Sequence, residues 1–256
     1  MKIVRYETQP SAKFGCIEDG MVWELDGDPL VDPRRGQKVA MLDSVTLLEP
    51  CRPAKVVAIA INYVGIEGFS PTMLEPMIFV KPGSSVCAPG TPVVNPFPDL
   101  PWWGEAELGV VIKSRLKNAS HEEAVAAVLG FTVGNDVTTE NVEGRDHHLA
   151  RSKCADSFCP IGPWIDTEFD SSNCLIEAVQ NGEVIRSARS SQQFWQWPRI
   201  LVEVSKWMTL EPWDVVLTGN PPDTVGMRFL SDGDVYTARI GGLGEITNQF
   251  FSKRNQ

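Results

Sequence analysis

The apolar residues of this chain come in short runs, and 21 glycines and 19 prolines punctuate them. The longest uniformly apolar stretch, Val56 to Ile61, has the length of one buried strand and is far too short to cross a membrane. A chain built this way folds into many short strands rather than a helical bundle. With 256 residues, 43% of them hydrophobic, it has material for a sizeable core. The expectation is a mixed, β-rich α+β fold.

The first 50 residues read as a small β domain. Ile3–Tyr6 and Phe14–Ile17 are strand-like, Glu18-Asp19-Gly20 turns the chain, and Met21–Leu25 continues it. The segment Pro50–Pro53 marks the junction with a larger domain over residues 51–256. There Lys55–Ile61 and Met77–Lys81 read as strands, and a strand–helix–strand unit follows. Its parts are Glu105–Ile112, a helix opened by the capping box Ser120-His121-Glu122-Glu123, and Phe131–Val133 ending at Asn135-Asp136. Gly130 stands where a helix-terminating glycine is expected. Later, Asn181-Gly182 predicts a tight hairpin, and Ile200–Met208 a helix.

The formal net charge is −10 and no basic stripe stands out, which disfavours a nucleic-acid partner. The start, Met1-Lys2-Ile3-Val4-Arg5, leads into no apolar region of signal-peptide type, so a cytoplasmic location with no membrane partner is expected. The six cysteines form no CxxC pair and read as reduced, mostly buried thiols.

Glu105 and Glu107 lie two apart on a strand, so both carboxylates project from one face while Ala106 and Leu108 take the other. Alone, such a pair is usually a solvated edge. Here Val110-Val111-Ile112 continue the strand as a buried element, Trp102-Trp103 flank its start, and Asp136 ends the neighbouring strand. Three carboxylates are hard oxygen ligands that suit Mg²⁺ or Mn²⁺, and with only three histidines in the chain zinc is disfavoured.

An ordered set of motifs over residues 55–250 resembles the fumarylacetoacetate hydrolase family. These are Lys55–Tyr63, Glu75–Pro82, Gly104-Glu105-Ala106-Glu107-Leu108, Gly134-Asn135-Asp136, Arg151–Pro163, Thr218-Gly219-Asn220-Pro221 and Ile240–Gly244. The resemblance implies the family's mixed β-roll, with the metal on Glu105, Glu107 and Asp136. It implies a small-molecule 2-oxo or 1,3-dicarbonyl acid as substrate, an enolate stabilised by the metal, and a homodimer. Lys153 would neutralise developing negative charge. Asn62, Tyr63, Thr218, Gly219 and Asn220 would contact substrate, and Lys81 would pair a distal carboxylate. Hydrolytic members of the family carry a lid His–Glu pair, whose positions are Ile66 and Phe69 in this chain. Glu67 is the remaining lid carboxylate and the candidate base, with His147 and His148 as alternatives. The departure favours decarboxylation or enol–keto isomerisation over C–C hydrolysis. A third possibility is a protein that binds a dicarbonyl acid without turnover.

Overall fold

A computed structural model describes residues 1–9, 11–144 and 146–252. The chain opens as a meander of four strands, β1 (Lys2–Glu7), β2 (Ala12–Glu18), β3 (Met21–Asp26) and β4 (Arg34–Met41). The next strands are β5 (Lys55–Ala60), β6 (Met77–Pro82), β7 (Val86–Cys87), β8 (Val93–Asn95) and β9 (Trp102–Trp103). The strand–helix–strand unit follows as β10 (Ala106–Ile112), α1 (His121–Ala126) and β11 (Val128–Asn135), with β12 (Thr138–Thr139) directly behind it. Then come α2 (Ala150–Lys153), β13 (Cys159–Asp166), β14 (Leu175–Gln180), β15 (Glu183–Arg189) and α3 (Trp197–Trp207). The chain closes with β16 (Val215–Leu217), β17 (Val235–Ile240) and β18 (Gly244–Ser252).

Two large sheets organise these elements. The longer has eleven strands in the order β4-β3-β2-β1-β13-β11-β10-β16-β5-β6, with β7 joined to β13. The shorter has five, in the order β15-β14-β17-β18-β8. The fold is thus β-rich α+β, as expected from the short apolar runs. The meander of the first 50 residues is hydrogen-bonded into the long sheet, because β1 pairs antiparallel with β13, Ile3 opposite Ile165.

The core lies between the sheets. Ala106, Leu108, Val110 and Ile112 of β10 pack there with Ile176 and Ala178 of β14, Ala238 and Ile240 of β17, and Ile200, Leu201 and Val204 of α3. Val111, from the other face of β10, joins a second cluster with Val56, Ala58, Val215 and Leu217. Every residue of β10 is therefore buried, and alternation puts Glu107 on the face away from the short sheet.

Local chemistry explains most element ends. Ser120 Oγ accepts from the Glu123 N–H while Glu123 Oε2 accepts from the Ser120 N–H, so the capping box is complete. Asn181 and Gly182 adopt φ of 52° and 86°, the conformation that a two-residue hairpin turn needs. Gly130 differs from expectation. It lies inside β11, where a Cβ would meet Asp166 O at 2.4 Å, so the glycine serves close strand approach rather than a helix end. The helix expected from Ile200 begins at Trp197, with Pro198 in its first turn. The six cysteines are free and all but Cys154 are buried. Among the described residues, no helix is long and apolar enough to cross a membrane.

Candidate metal centre

Three backbone features bring the carboxylates together. Glu105 sits just ahead of β10 and Glu107 is its second residue. In the β10–β11 ladder Ala106 faces Asn135, so Asp136, one residue past β11, lands beside the glutamates. The Asp136 N–H donates to Glu105 O at 2.9 Å, and the Glu105 N–H donates to Asn135 Oδ1 at 2.8 Å, locking the two strand ends to each other. Glu105, Glu107 and Asp136 each offer an oxygen within 4.8 Å of the others.

Glu107 and Asp136 are buried and Glu105 is partly exposed. Two ammonium groups answer this charge. Lys81 Nζ, wholly buried, donates to Asp136 Oδ1 at 2.6 Å and to Val137 O at 3.1 Å. Lys153 Nζ donates to Asp136 Oδ2 at 2.5 Å and Glu105 Oε2 at 3.0 Å, and lies 4.7 Å from the centre of the Phe79 ring. Burial alone would lower the Lys153 ammonium, but Asp136 and Glu105 overcome it and raise the group above its usual range. Burial would likewise raise the Asp136 carboxyl, and Lys153 and Lys81 hold it below. Glu107 goes the other way. Burial, then Asp136 and Glu105 beside it, push it well above the usual carboxylate range, against the Gly219 N–H and Lys153.

This asymmetry tests the fit of a metal. Three carboxylates face two ammoniums, and among the described residues the most buried glutamate has only the Gly219 N–H on Oε2, at 2.6 Å, as a hydrogen-bond donor. A divalent cation would supply the missing positive charge, and an all-oxygen donor set fits a hard cation.

The remaining candidate residues divide by position. Lys81, expected to pair a distal substrate carboxylate, is instead enclosed and bonded to Asp136. Asn62 is buried and fully engaged: its Nδ2 donates to Thr218 O and Trp195 O, and its Oδ1 accepts from the Trp195 N–H. The Thr218 hydroxyl donates to Leu108 O and accepts from Gln193 Nε2 at 2.8 Å. Gly219, at φ +99°, aims its N–H at Glu107. These groups build the wall behind the carboxylates. Tyr63 is buried in the same wall, in an isolated bridge with Gln193. Asn220 Oδ1, beside Gly219, is a buried acceptor without a hydrogen-bond partner among the described residues. Glu67 is exposed, as are His147 and His148, and none of the three joins the carboxylate cluster. Phe69 packs edge-on against Phe194 at 5.4 Å.

The sequence reading passed over four contributors. Asn135 and Gln193 hold the backbone and Thr218, and Trp103 and Thr138 both donate to Glu105 Oε1, at 2.6 and 3.2 Å. Only the adjacency of Asn135 to Asp136, and of Trp103 to the glutamates, pointed to them.

Comparison with known proteins agrees with this geometry. The family model "Fumarylacetoacetate (FAA) hydrolase C-terminal" matches residues 55–251, and "Rv2993c-like, N-terminal" matches residues 1–50. Protein Rv2993c of Mycobacterium tuberculosis is 36% identical over 266 residues, covering 99% of each chain. The human mitochondrial oxaloacetate tautomerase FAHD2A is 37% identical over 219 residues, covering 80% of this chain and 69% of its own. The crystal structure of a 5-carboxymethyl-2-hydroxymuconate delta-isomerase from Mycobacterium smegmatis superposes with a TM-score of 0.89 at 33% identity, covering 99% of this chain and 100% of its own. With a family model matched over residues 55–251 and a relative 36% identical over 99% of the chain, the chain belongs to the fumarylacetoacetate hydrolase family.

Proposed function

We propose that this protein is a divalent-metal-dependent enzyme that interconverts the enol and keto forms of a 2-oxo or 1,3-dicarbonyl acid. The observation that carries this reading is the cluster of Glu105, Glu107 and Asp136, three carboxylates within 4.8 Å on adjacent strand ends. Mg²⁺ or Mn²⁺ held there supplies Lewis-acid polarisation of the substrate's oxygens.

The chain's own residues then have defined tasks. Lys153, kept protonated beside Glu105 and Asp136, places positive charge where an enolate oxygen develops its negative charge. The Gly219 N–H fixes Glu107, and Asn220 Oδ1 offers an acceptor to a substrate hydroxyl. The lid region presents Ile66 and Phe69, which cannot move a proton, and an exposed Glu67. An activated water for hydrolysis therefore has no enclosed base on this segment, whereas enol–keto interconversion calls for no activated water. Decarboxylation passes through the same enolate. The tautomerase and isomerase named among the relatives favour proton transfer.

The test follows oxaloacetate and an acylpyruvate side by side with Mg²⁺, against metal-only controls. The expected result is tautomerisation of oxaloacetate that EDTA abolishes, together with loss of calorimetric Mn²⁺ binding in Glu107→Ala and Asp136→Ala. Fast acylpyruvate cleavage with no turnover of oxaloacetate would overturn the reading.

A further inference from the structure

Trp102 and Trp103 are neighbours on β9 with opposite fates. Trp102 is buried, its ring centre 5.2 Å from that of Phe250. Strand alternation turns Trp103 to the other face, toward the carboxylates. There β9 pairs antiparallel with β12, and Trp103 stands directly opposite Thr138. From that one cross-strand position both side chains reach the same atom. Trp103 Nε1 donates to Glu105 Oε1 at 2.6 Å, and the single Thr138 hydroxyl proton is shared between that oxygen and Asp136 O, each at 3.2 Å. The other oxygen, Oε2, faces Lys153.

Glu105 is the ligand candidate with the greatest freedom. Its side chain is 16% exposed, while those of Glu107 and Asp136 are enclosed. Glutamate has three side-chain torsions, and a carboxylate near solvent gains entropy by leaving a crowd of like charges. The indole N–H, helped by the shared Thr138 hydroxyl, opposes that departure without competing for Oε2. The indole is itself held. The Phe229 ring meets Trp103 edge-on with centres 6.1 Å apart, and the Leu230 N–H, next in sequence, donates to Trp102 O at 2.8 Å. Pro221–Leu230 is thus fastened to the strand that orients the ligand.

The geometry points to Trp103 as a positioning residue that holds Glu105 in its metal-ligating orientation through the indole N–H. The inference rests on reading the three carboxylates as a divalent-metal site. Removing such an outer partner typically weakens metal binding by roughly 10–100-fold.

The experiment is Mn²⁺ calorimetry on wild type and Trp103→Phe, with melting temperatures measured in EDTA. Phenylalanine keeps an aromatic ring for Phe229 in a smaller side chain and removes the indole N–H. The expected result is a wild-type melting temperature without metal and Mn²⁺ affinity weakened by roughly 10–100-fold. Equal Mn²⁺ affinity in the two proteins would overturn the inference while leaving the metal site standing. No Mn²⁺ binding in wild type would remove both. If the variant does not fold, ¹⁵N-tryptophan-labelled wild type decides the matter. The indole N–H of Trp103 should shift when Mg²⁺ is added, with that of Trp23, which has no hydrogen-bond partner among the described residues, as a reference. Indole resonances that all ignore Mg²⁺ would likewise overturn it.

Discussion

Lys81→Met isolates a fully enclosed cation beside the carboxylates. Methionine matches the length and shape of the lysine stem and removes the ammonium, so the packing of Lys81 among its neighbours is largely kept. What is lost is the 2.6 Å contact to Asp136 Oδ1 and the 3.1 Å contact to Val137 O, both in a fully buried setting. Breaking a buried ion pair by removing one partner costs about 3–5 kcal/mol, because the remaining charge stays desolvated. Lys153 still stands 2.5 Å from Asp136 Oδ2, so the aspartate keeps one counter-charge and the cost falls at the lower end, ~3 kcal/mol. For a chain of this size each kcal/mol lowers the melting temperature by about 2–4 °C, giving roughly 6–12 °C. The assay is thermal unfolding followed by circular dichroism at neutral pH in EDTA, so that bound metal contributes nothing. A Lys81→Met variant melting within ~2 °C of wild type would refute the reasoning. A raised KM for a substrate with a distal carboxylate, at unchanged stability, would return Lys81 to the substrate-pairing role that the family resemblance implies.

Two further outcomes follow from the same site and core. Gly219→Ala places a Cβ 2.7 Å from Asn62 Cβ at φ +99°, so unfolding should show a loss of about 1–3 kcal/mol, and calorimetry weaker Mn²⁺ binding as the N–H leaves Glu107; unchanged values in both would refute it. Burial pushes the Cys51 and Cys87 thiols up to about 12, so a disulfide reagent at pH 8 should titrate about one thiol in the native protein, Cys154, and all six cysteines after denaturation; three or more immediate equivalents would contradict the packing.

The sequence showed its local chemistry well and its long-range pairings poorly. The capping box at Ser120, the Asn181-Gly182 hairpin and the two-residue spacing of Glu105 and Glu107 each depend on residues a few positions apart, and all three appear as read. The strand β4 was invisible because Arg34-Arg35-Gly36-Gln37-Lys38 is polar and mostly exposed, so no alternation of apolar residues marks it. Gly130 looked like a helix end because its reason for being glycine is Asp166 O, which no local pattern reveals. The same limit applied at the site. Lys81 and Thr218 were read as groups awaiting substrate, yet their partners Asp136, Leu108 and Gln193 come from distant strands and loops that the fold brings to them. The candidate ligands stood out because three carboxylates at adjacent strand ends have few structural uses; their supports did not, because asparagine, threonine and tryptophan have many.

The pairing of β1 with β13 also governs how the chain can be made. A ribosome adds about 5–20 residues per second, and Ile3 emerges about 160 residues before its partner Ile165. For roughly 8–32 seconds the meander carries an open strand edge, with Ile3 uncovered, before the strand that completes it exists. The meander is therefore secured only after more than a hundred further residues are made, and the nascent protein is open to holdase capture, or to pairing with a neighbouring nascent copy, in that interval.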